Sequence, residues 1–155
     1  SMMCAAPPPF LIEVDALYKR TYGHGLFYEL YRSKGMSPTC KRAAIFTLGM
    51  KTKPGETVAK LIKAACAGLG TDEALLTACM VRYQPLLKEV ALAHLELFDR
   101  SLHDRIRGET SFSYRGVLLA MLEEAFPDED DSSSGLRASL GLKGSGSKVL
   151  PVRRS

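Results

Sequence analysis

The stretch GLGTDE (residues 68–73) interrupts two segments whose apolar residues recur at helical spacing. Two glycines end a helix readily, because they adopt positive φ and leave carbonyl oxygens pointing outward. Thr71 or Asp72 can then cap the next helix, which makes the stretch punctuation between two helices. A hard cation is the other interpretation, since Ca²⁺ takes six to eight oxygen ligands, many of them neutral carbonyls. A glycine loop carries no charge, so this second interpretation needs a carboxylate from another loop.

The bulk composition fits one ordinary globular domain. The chain has 155 residues, 46% of them hydrophobic, and a net charge of +4. This charge is too small to indicate a nucleic-acid partner, and no apolar run approaches the ~20 residues of a membrane span. The N-terminus has no charged or apolar region of a secretory signal. Ser1 and Met2, which precede Met3, are interpreted as a cloning remnant.

The cysteines and histidines form no metal or catalytic motif. Cys4, Cys40, Cys66 and Cys79 show no CxxC pair and no zinc-like spacing. The last three fall on apolar faces, so we predict that they are buried as small apolar residues in a cytosolic protein. No HExxH or GxSxG motif occurs, and nothing in the sequence indicates an enzyme.

Helical periodicity runs through most of the chain, and no segment alternates as a half-buried strand would. The pattern predicts three helices over residues 11–22, 26–33 and 38–48, followed by five more between residues 55 and 126. Pro85 suits the first turn of one of these helices. The predicted fold class is therefore all-α.

The two halves of the chain are internally repeated. Tyr22, Leu26 and Leu30 correspond to Phe98, Leu102 and Ile106, each 76 positions later, and Ala44 and Leu48 correspond to Leu118 and Leu122, 74 positions later. The first copy lacks the two opening helices of the second copy.

These patterns predict four parts. Residues 1–10 are expected to be a disordered N-terminus, 11–49 a partial repeat of three helices, and 55–126 a complete repeat of five helices, with a polar connector (residues 49–57) between them. Residues 127–155 are acidic at first, then basic, and rich in Ser and Gly, which predicts a flexible tail.

Several motifs together resemble an annexin repeat. They are the GLGTDE loop between the first two helices, Arg82 at the end of the second helix, and RGETSFSY (residues 107–114) between the fourth and fifth helices. Glu109 follows Gly68 by 41 positions, as such repeats require. KTKPGETVAKLIKAA (residues 51–65) and LYKRTYGHGLFYELY (residues 17–31) extend the resemblance, which covers about residues 11–126. The resemblance implies an annexin-like right-handed superhelix of helices.

The annexin resemblance also implies a calcium site. Its ligands would be three loop carbonyls and one distant bidentate carboxylate, which here map to Cys66, Gly68, Gly70 and Glu109. A lesser site would use the carbonyl of Thr71 and the carboxylate of Glu73. The corresponding loop of the first copy, RSKGMSPT (residues 32–39), contains no acid, so no calcium is expected there.

The function implied by this resemblance is calcium-dependent binding to anionic phospholipid membranes, with attachment at the surface and without insertion. One carboxylate neutralises half of the Ca²⁺ charge, which leaves ligand positions and positive charge for a lipid headgroup. The alternative is an annexin-like scaffold or cytoskeleton-associated module with weak or lost calcium binding. Uncovered apolar faces on the incomplete copy further predict self-association.

Overall fold

A computed structural model of the chain describes residues 2–68, 70–126, 135 and 138–142. These residues contain helices but no strand. In chain order the helices are α1 (Met2–Ala5), α2 (Pro8–Tyr22), α3 (Leu26–Arg32), α4 (Pro38–Thr52), α5 (Pro54–Ala65), α6 (Glu73–Arg82), α7 (Leu87–Phe98), α8 (Leu102–Glu109) and α9 (Phe112–Glu124). A 3₁₀ turn (Gln84–Leu86) carries Pro85 and leads into α7. The predicted all-α class is confirmed.

The complete copy, α5 to α9, has a continuous core. Helix α5 lies between α4 and α7 and also contacts α6, while α8 and α6 both pack against α9. The apolar stripes that the sequence shows at helical spacing converge in this core, and each side chain is at most 2% exposed: Val58, Ile62, Leu76, Met80, Leu87, Val90, Leu102, Ile106, Leu118 and Leu122. Removing these side chains from water is the main stabilising contribution to the copy.

The incomplete copy, α2 to α4, has a much smaller core. Ala6, Leu11 and Leu48 are its buried members, and a few partly exposed side chains pack around them. The described residues contain no counterpart of α5 and α6 to cover α3 and α4. As a result Tyr31 is 73% exposed, and Cys40, which was predicted to be buried, is exposed.

The N-terminal segment differs from the expected disorder. Residues 2–5 form the short helix α1, and α2 begins at Pro8, within the run of three prolines. Proline suits the first helical turn because its missing N–H would have no partner there. Lys51 Nζ donates to the carbonyl oxygens of Cys4 and Ala6 at 2.6 Å each, which ties the segment to α4.

The predicted connector is also largely helical. Helix α4 continues to Thr52, and α5 starts only two residues later, with Pro54 in its first turn. Gly49 lies inside α4, where an added Cβ would collide with the side chain of Thr57. This glycine therefore permits close packing of α4 on α5 rather than a loop.

The predicted tail lies mostly outside the described residues, but residues 138–142 do not follow the expectation. Leu140 and Leu142 are buried in the core of the complete copy. Gly141 adopts φ +75°, and a Cβ there would lie 3.3 Å from His103 Nδ1. Two leucines in a Ser- and Gly-rich stretch give no periodic signal, so the sequence does not predict that they pack against the core.

Candidate calcium site

The loop between α5 and α6 is shaped by its two glycines. Gly68 adopts φ +103° and Gly70 φ +96°, a region in which side chains other than glycine are strained. The loop is closed by the Asp72 amide, which donates to the Ala65 carbonyl at 2.8 Å. The Asp72 carboxylate accepts from the Leu75 amide at 2.9 Å and thereby caps α6. Of the two capping candidates in the sequence, Asp72 is the one used.

The cap on α6 uses none of the carbonyl oxygens predicted as ligands. Among the described residues, no hydrogen bond ends on the carbonyl oxygens of Cys66, Gly68 or Gly70. One loop can therefore both separate two helices and supply cation ligands, because the cap uses the Asp72 side chain and the glycines turn the backbone.

The second loop, between α8 and α9, touches the first. Thr71 Oγ1 donates to the Glu109 carbonyl oxygen at 2.8 Å, across 38 residues of sequence. Tyr114, the last residue of the RGETSFSY stretch, donates from its hydroxyl to the Glu73 carbonyl at 3.1 Å and lies 2.9 Å from Thr77 Oγ1. These bonds hold the start of α9 against α6, so the two loops form one local surface.

The Glu109 carboxylate already has a partner in this structure. Arg100 Nη1 lies 3.5 Å from Glu109 Oε1, and Arg100 Nη2 donates to the Asp104 carbonyl at 3.0 Å. The Glu109 side chain is 29% exposed. Burial raises the pKa of the Cys66 thiol, and the negative charge of Glu109 raises it further. The charge of Glu109 thus acts on the thiol of Cys66, the residue whose carbonyl is one of the predicted ligands.

The lesser set, Thr71 and Glu73, lies at the N-terminal end of α6. Glu73 is the first residue of the helix and is exposed, and Thr71 precedes it by two positions. The hydroxyl of Thr71 and the carbonyl of Glu73 are both engaged in holding the two loops together. The Glu73 carboxylate and the Thr71 carbonyl remain the groups proposed for a cation.

The chemistry of the primary donor set fits a hard cation. Three neutral carbonyls and one carboxylate are oxygen donors of the kind that Ca²⁺ prefers. Within the described part of the chain, no group of three or more His, Cys, Asp or Glu side chains is arranged to hold a metal. A carbonyl-rich cation site is compatible with the primary donor set.

In the first copy, the loop between α3 and α4 corresponds to the loop between α8 and α9, and the two loops differ in charge. Between α3 and α4, Lys41 Nζ donates to the Tyr31 carbonyl at 2.8 Å. A lysine thus occupies the carbonyl end of α3, and residues 33–37 supply no acid. The loop thus carries a basic side chain and no acid, and the absence of calcium binding there stays a prediction.

Two features near the site were missed by sequence reasoning. The pairing of Arg100 with Glu109 depends on how α8 follows its preceding turn, which no pattern reveals. Phe112, within the RGETSFSY stretch, is the first residue of α9 and is 93% exposed. A large aromatic residue directly after a short turn between two helices was the available signal.

Comparisons with known proteins agree with the fold. A family model of the annexins matches residues 57–121. Annexin A13 of Homo sapiens is 30% identical over 125 residues, which are 80% of this chain and 38% of that protein. Annexin A6 of Mus musculus is 37% identical over 123 residues, 78% of this chain and 18% of that protein. The structure of a calcium-bound annexin, (Sm)1, matches with a TM-score of 0.71 at 21% identity over 81% of this chain and 36% of that one.

The fold is that of an annexin-like helical repeat protein. The family model, the relatives and the solved structures together support membership of the annexin family. It spans less than two fifths of the length of annexin A13. Among the described residues, no helix is long and apolar enough to cross a bilayer.

Proposed function

We propose that this protein binds anionic phospholipid membranes in a calcium-dependent manner through the two joined loops. The observation that carries the proposal is the bond from Thr71 to Glu109, which joins the glycine loop to the residue that bears the carboxylate. Membership of the annexin family supports it. The proposed location is cytoplasmic, with peripheral attachment to the membrane.

In the primary site, the carbonyls of Cys66, Gly68 and Gly70 and the carboxylate of Glu109 would hold Ca²⁺. The cation supplies positive charge that a lipid phosphate or carboxylate can share. Since the protein contributes a single negative charge, calcium affinity in solution is expected to be weak and to rise when anionic lipid is present. A second, weaker cation would use Thr71 and Glu73.

Arg100 competes with calcium for the Glu109 carboxylate. Its guanidinium lies 3.5 Å from the Glu109 carboxylate, so calcium has to displace it before the carboxylate is free. The ion pair is partly exposed, and such pairs contribute little stability, so a divalent cation can displace the arginine at small cost.

Sedimentation with phosphatidylserine vesicles, in calcium and in EDTA, tests the proposal. We expect calcium-dependent pelleting of the wild type and loss of that fraction in Glu109→Gln. Glu123→Gln is the matched control, because Glu123 is exposed near the opposite end of α9. If the wild type pellets equally in calcium and in EDTA, its binding does not depend on calcium. If Glu109→Gln and Glu123→Gln pellet equally in calcium, Glu109 is not a ligand.

A second candidate function is an annexin-like scaffold or cytoskeleton-associated module with weak or lost calcium binding. The apolar surface of the incomplete copy favours it. A groove of about 830 Å³ runs along α4 and α5, and Phe27, Ile45, Phe46 and Leu61 contribute to its lining. The division into a partial repeat (residues 11–49) and a complete repeat (residues 55–126) is part of this proposal. Calcium titration with lipid present discriminates the two, because a scaffold that has lost the site gives no binding signal.

A further inference from the structure

Phe112 is the most exposed large apolar side chain among the described residues. It is 93% exposed, and the next, Tyr31, is 73% exposed. Single exposed apolar residues are common on soluble proteins. Exposure alone therefore does not indicate a function for Phe112.

Phe112 also holds an unfavourable backbone conformation. It adopts φ +48°, and among non-glycine residues of the described chain only Asp99 shares this left-handed region. Asp99 ends α7, a position where left-handed residues are frequent and where aspartate is tolerated. Phe112 begins α9, and glycine would adopt the same φ without steric cost. Strained residues of this kind cluster at functional sites.

The ring of Phe112 does not pack against either core cluster of the described residues. It belongs to neither core cluster, and it forms no ring contact with the described residues. Tyr114, two positions later, shows the contrast, since its hydroxyl ties α9 to α6. An aromatic residue that is strained, exposed and unused in packing is suited to an external apolar partner.

The surroundings of Phe112 suit an anionic surface. Glu109 is the last residue of α8, and Phe112, three residues later, is the first residue of α9. Exposed Arg107 precedes it, and Arg115 follows it, with Arg115 Nε donating to the Thr110 carbonyl at 2.8 Å. An apolar residue flanked in the sequence by basic residues is a combination that favours the interface of a bilayer containing acidic lipids.

We propose that Phe112 is an interfacial anchor, whose phenyl ring enters the headgroup region of an anionic phospholipid bilayer when the adjacent calcium site engages the surface. The inference rests on the proposed function and changes one part of it. Attachment is then not confined to the surface, because the side chain of the first residue of α9 is inserted. Calcium sets the condition for attachment, and the ring adds apolar contact area.

The chain contains no tryptophan, so Phe112→Trp introduces a single fluorescent reporter at the proposed anchor. The probe is a vesicle of phosphatidylserine and phosphatidylcholine with brominated acyl chains. With calcium, we expect the emission of the Phe112→Trp variant to shift to shorter wavelength and to be quenched by the bromines. Val81→Trp is the matched control, because Val81 is 58% exposed near the far end of α6 from the loops, and the emission of that variant should not change.

Two further variants measure the anchor without a fluorophore. Phe112→Ala should weaken calcium-dependent vesicle binding roughly five- to tenfold, as expected for partial burial of one phenyl ring. Phe112→Gly should weaken binding similarly while raising Tm, because the left-handed strain is relieved. A residue that merely supported the loop would lower Tm and binding together.

The outcomes separate this inference from the function on which it rests. Suppose that the wild type sediments with vesicles in calcium, but the emission of Phe112→Trp is unshifted and unquenched and Phe112→Ala binds as the wild type does. This result overturns the anchor and leaves the proposed function intact. An emission of Phe112→Trp that is already blue-shifted without vesicles also overturns it, because the indole is then covered by protein. Wild-type chain that fails to sediment with vesicles in calcium overturns the proposed function, and the anchor with it.

Discussion

His94 is held in its neutral form by two oriented hydrogen bonds. Its Nδ1 lies 2.7 Å from the Arg100 carbonyl oxygen, to which it must donate, and its Nε2 accepts from Arg105 Nε at 2.7 Å. The side chain is fully buried. Burial lowers the pKa of His94 to about 4, and the charges of Arg105, Arg100 and Lys63 act in the same direction against the raising effect of the carbonyl bond.

This pKa makes stability depend on pH. The unfolded chain binds a proton at His94 near pH 6.5, whereas the folded chain does so only near pH 4. The contribution is present above pH 6.5 and is lost as the pH falls from 6.5 to 4. We expect the free energy of unfolding to be about 2 kcal/mol lower at about pH 5 than at about pH 7.

Urea unfolding at the two pH values measures this difference. His94→Gln should flatten the dependence, while His24→Gln, which changes a partly exposed histidine, should keep it. An equal drop in both variants would show that another group is responsible.

Arg100 gives a second prediction at the scale of one residue. Arg100→Gln removes the competing charge beside Glu109 and leaves the glycine loop untouched. Calcium binding in the presence of phosphatidylserine should tighten about threefold, since a partly exposed ion pair contributes roughly 0.2–1 kcal/mol. Isothermal titration measures the change. Weaker binding in the variant would mean that Arg100 assists the cation instead of competing with it.

The helices were predicted better than their ends and partners. Apolar spacing located the stripes of α5 to α9, because burial on one face leaves a pattern within a single element. The end of α4 and the start of α5 were missed, since Gly49 and Pro54 look like breakers in isolation. The packing of Gly49 on Thr57, and of Leu140 in the core, depends on distant residues.

For the candidate site, local sequence identified the glycine turn and the acid but not their environment. Thr71 was a candidate cap, but Asp72 caps α6, and the Thr71 hydroxyl bonds to the Glu109 carbonyl. The predicted role of the Thr71 carbonyl as a cation ligand stays a prediction. Tyr114 packs against the core, and its hydroxyl also bonds to the Glu73 carbonyl, which holds α9 against α6. Side-chain bonds between separate elements require the tertiary structure, which periodicity does not encode.

Equivalent positions of the two copies provide a test at the scale of helices. Leu102 in α8 is fully buried, and its equivalent Leu26 in α3 is only partly buried. Leu102→Ala should lower the free energy of unfolding by about 2–5 kcal/mol, and Leu26→Ala by less than about 1.5 kcal/mol. Chemical denaturation of both variants supplies the comparison. Equal losses would mean that the first copy is covered as fully as the second.

At the scale of the molecule, the two copies differ in how much apolar surface they cover. Ile12, Leu17 and Tyr31 are more than half exposed on α2 and α3. Exposed apolar patches of this kind favour association. We expect the isolated chain to form concentration-dependent oligomers, seen by sedimentation velocity.

Leu17→Ser combined with Tyr31→Ser should return the oligomers to monomer, whereas Val81→Ser, on the complete copy, should not. A wild-type chain that stays monomeric as concentration rises would contradict this expectation.

The central claim is that one carboxylate and the carbonyls of a separate glycine loop act together on one cation. An NMR titration with Ca²⁺ and a soluble short-chain phosphatidylserine tests it most directly. The amide signals of Gly68, Gly70, Thr71 and Glu109 should move together with one dissociation constant, and Glu109→Gln should abolish the movement. Unmoved loop signals at saturating calcium and lipid, or movement that persists in the variant, would contradict the account.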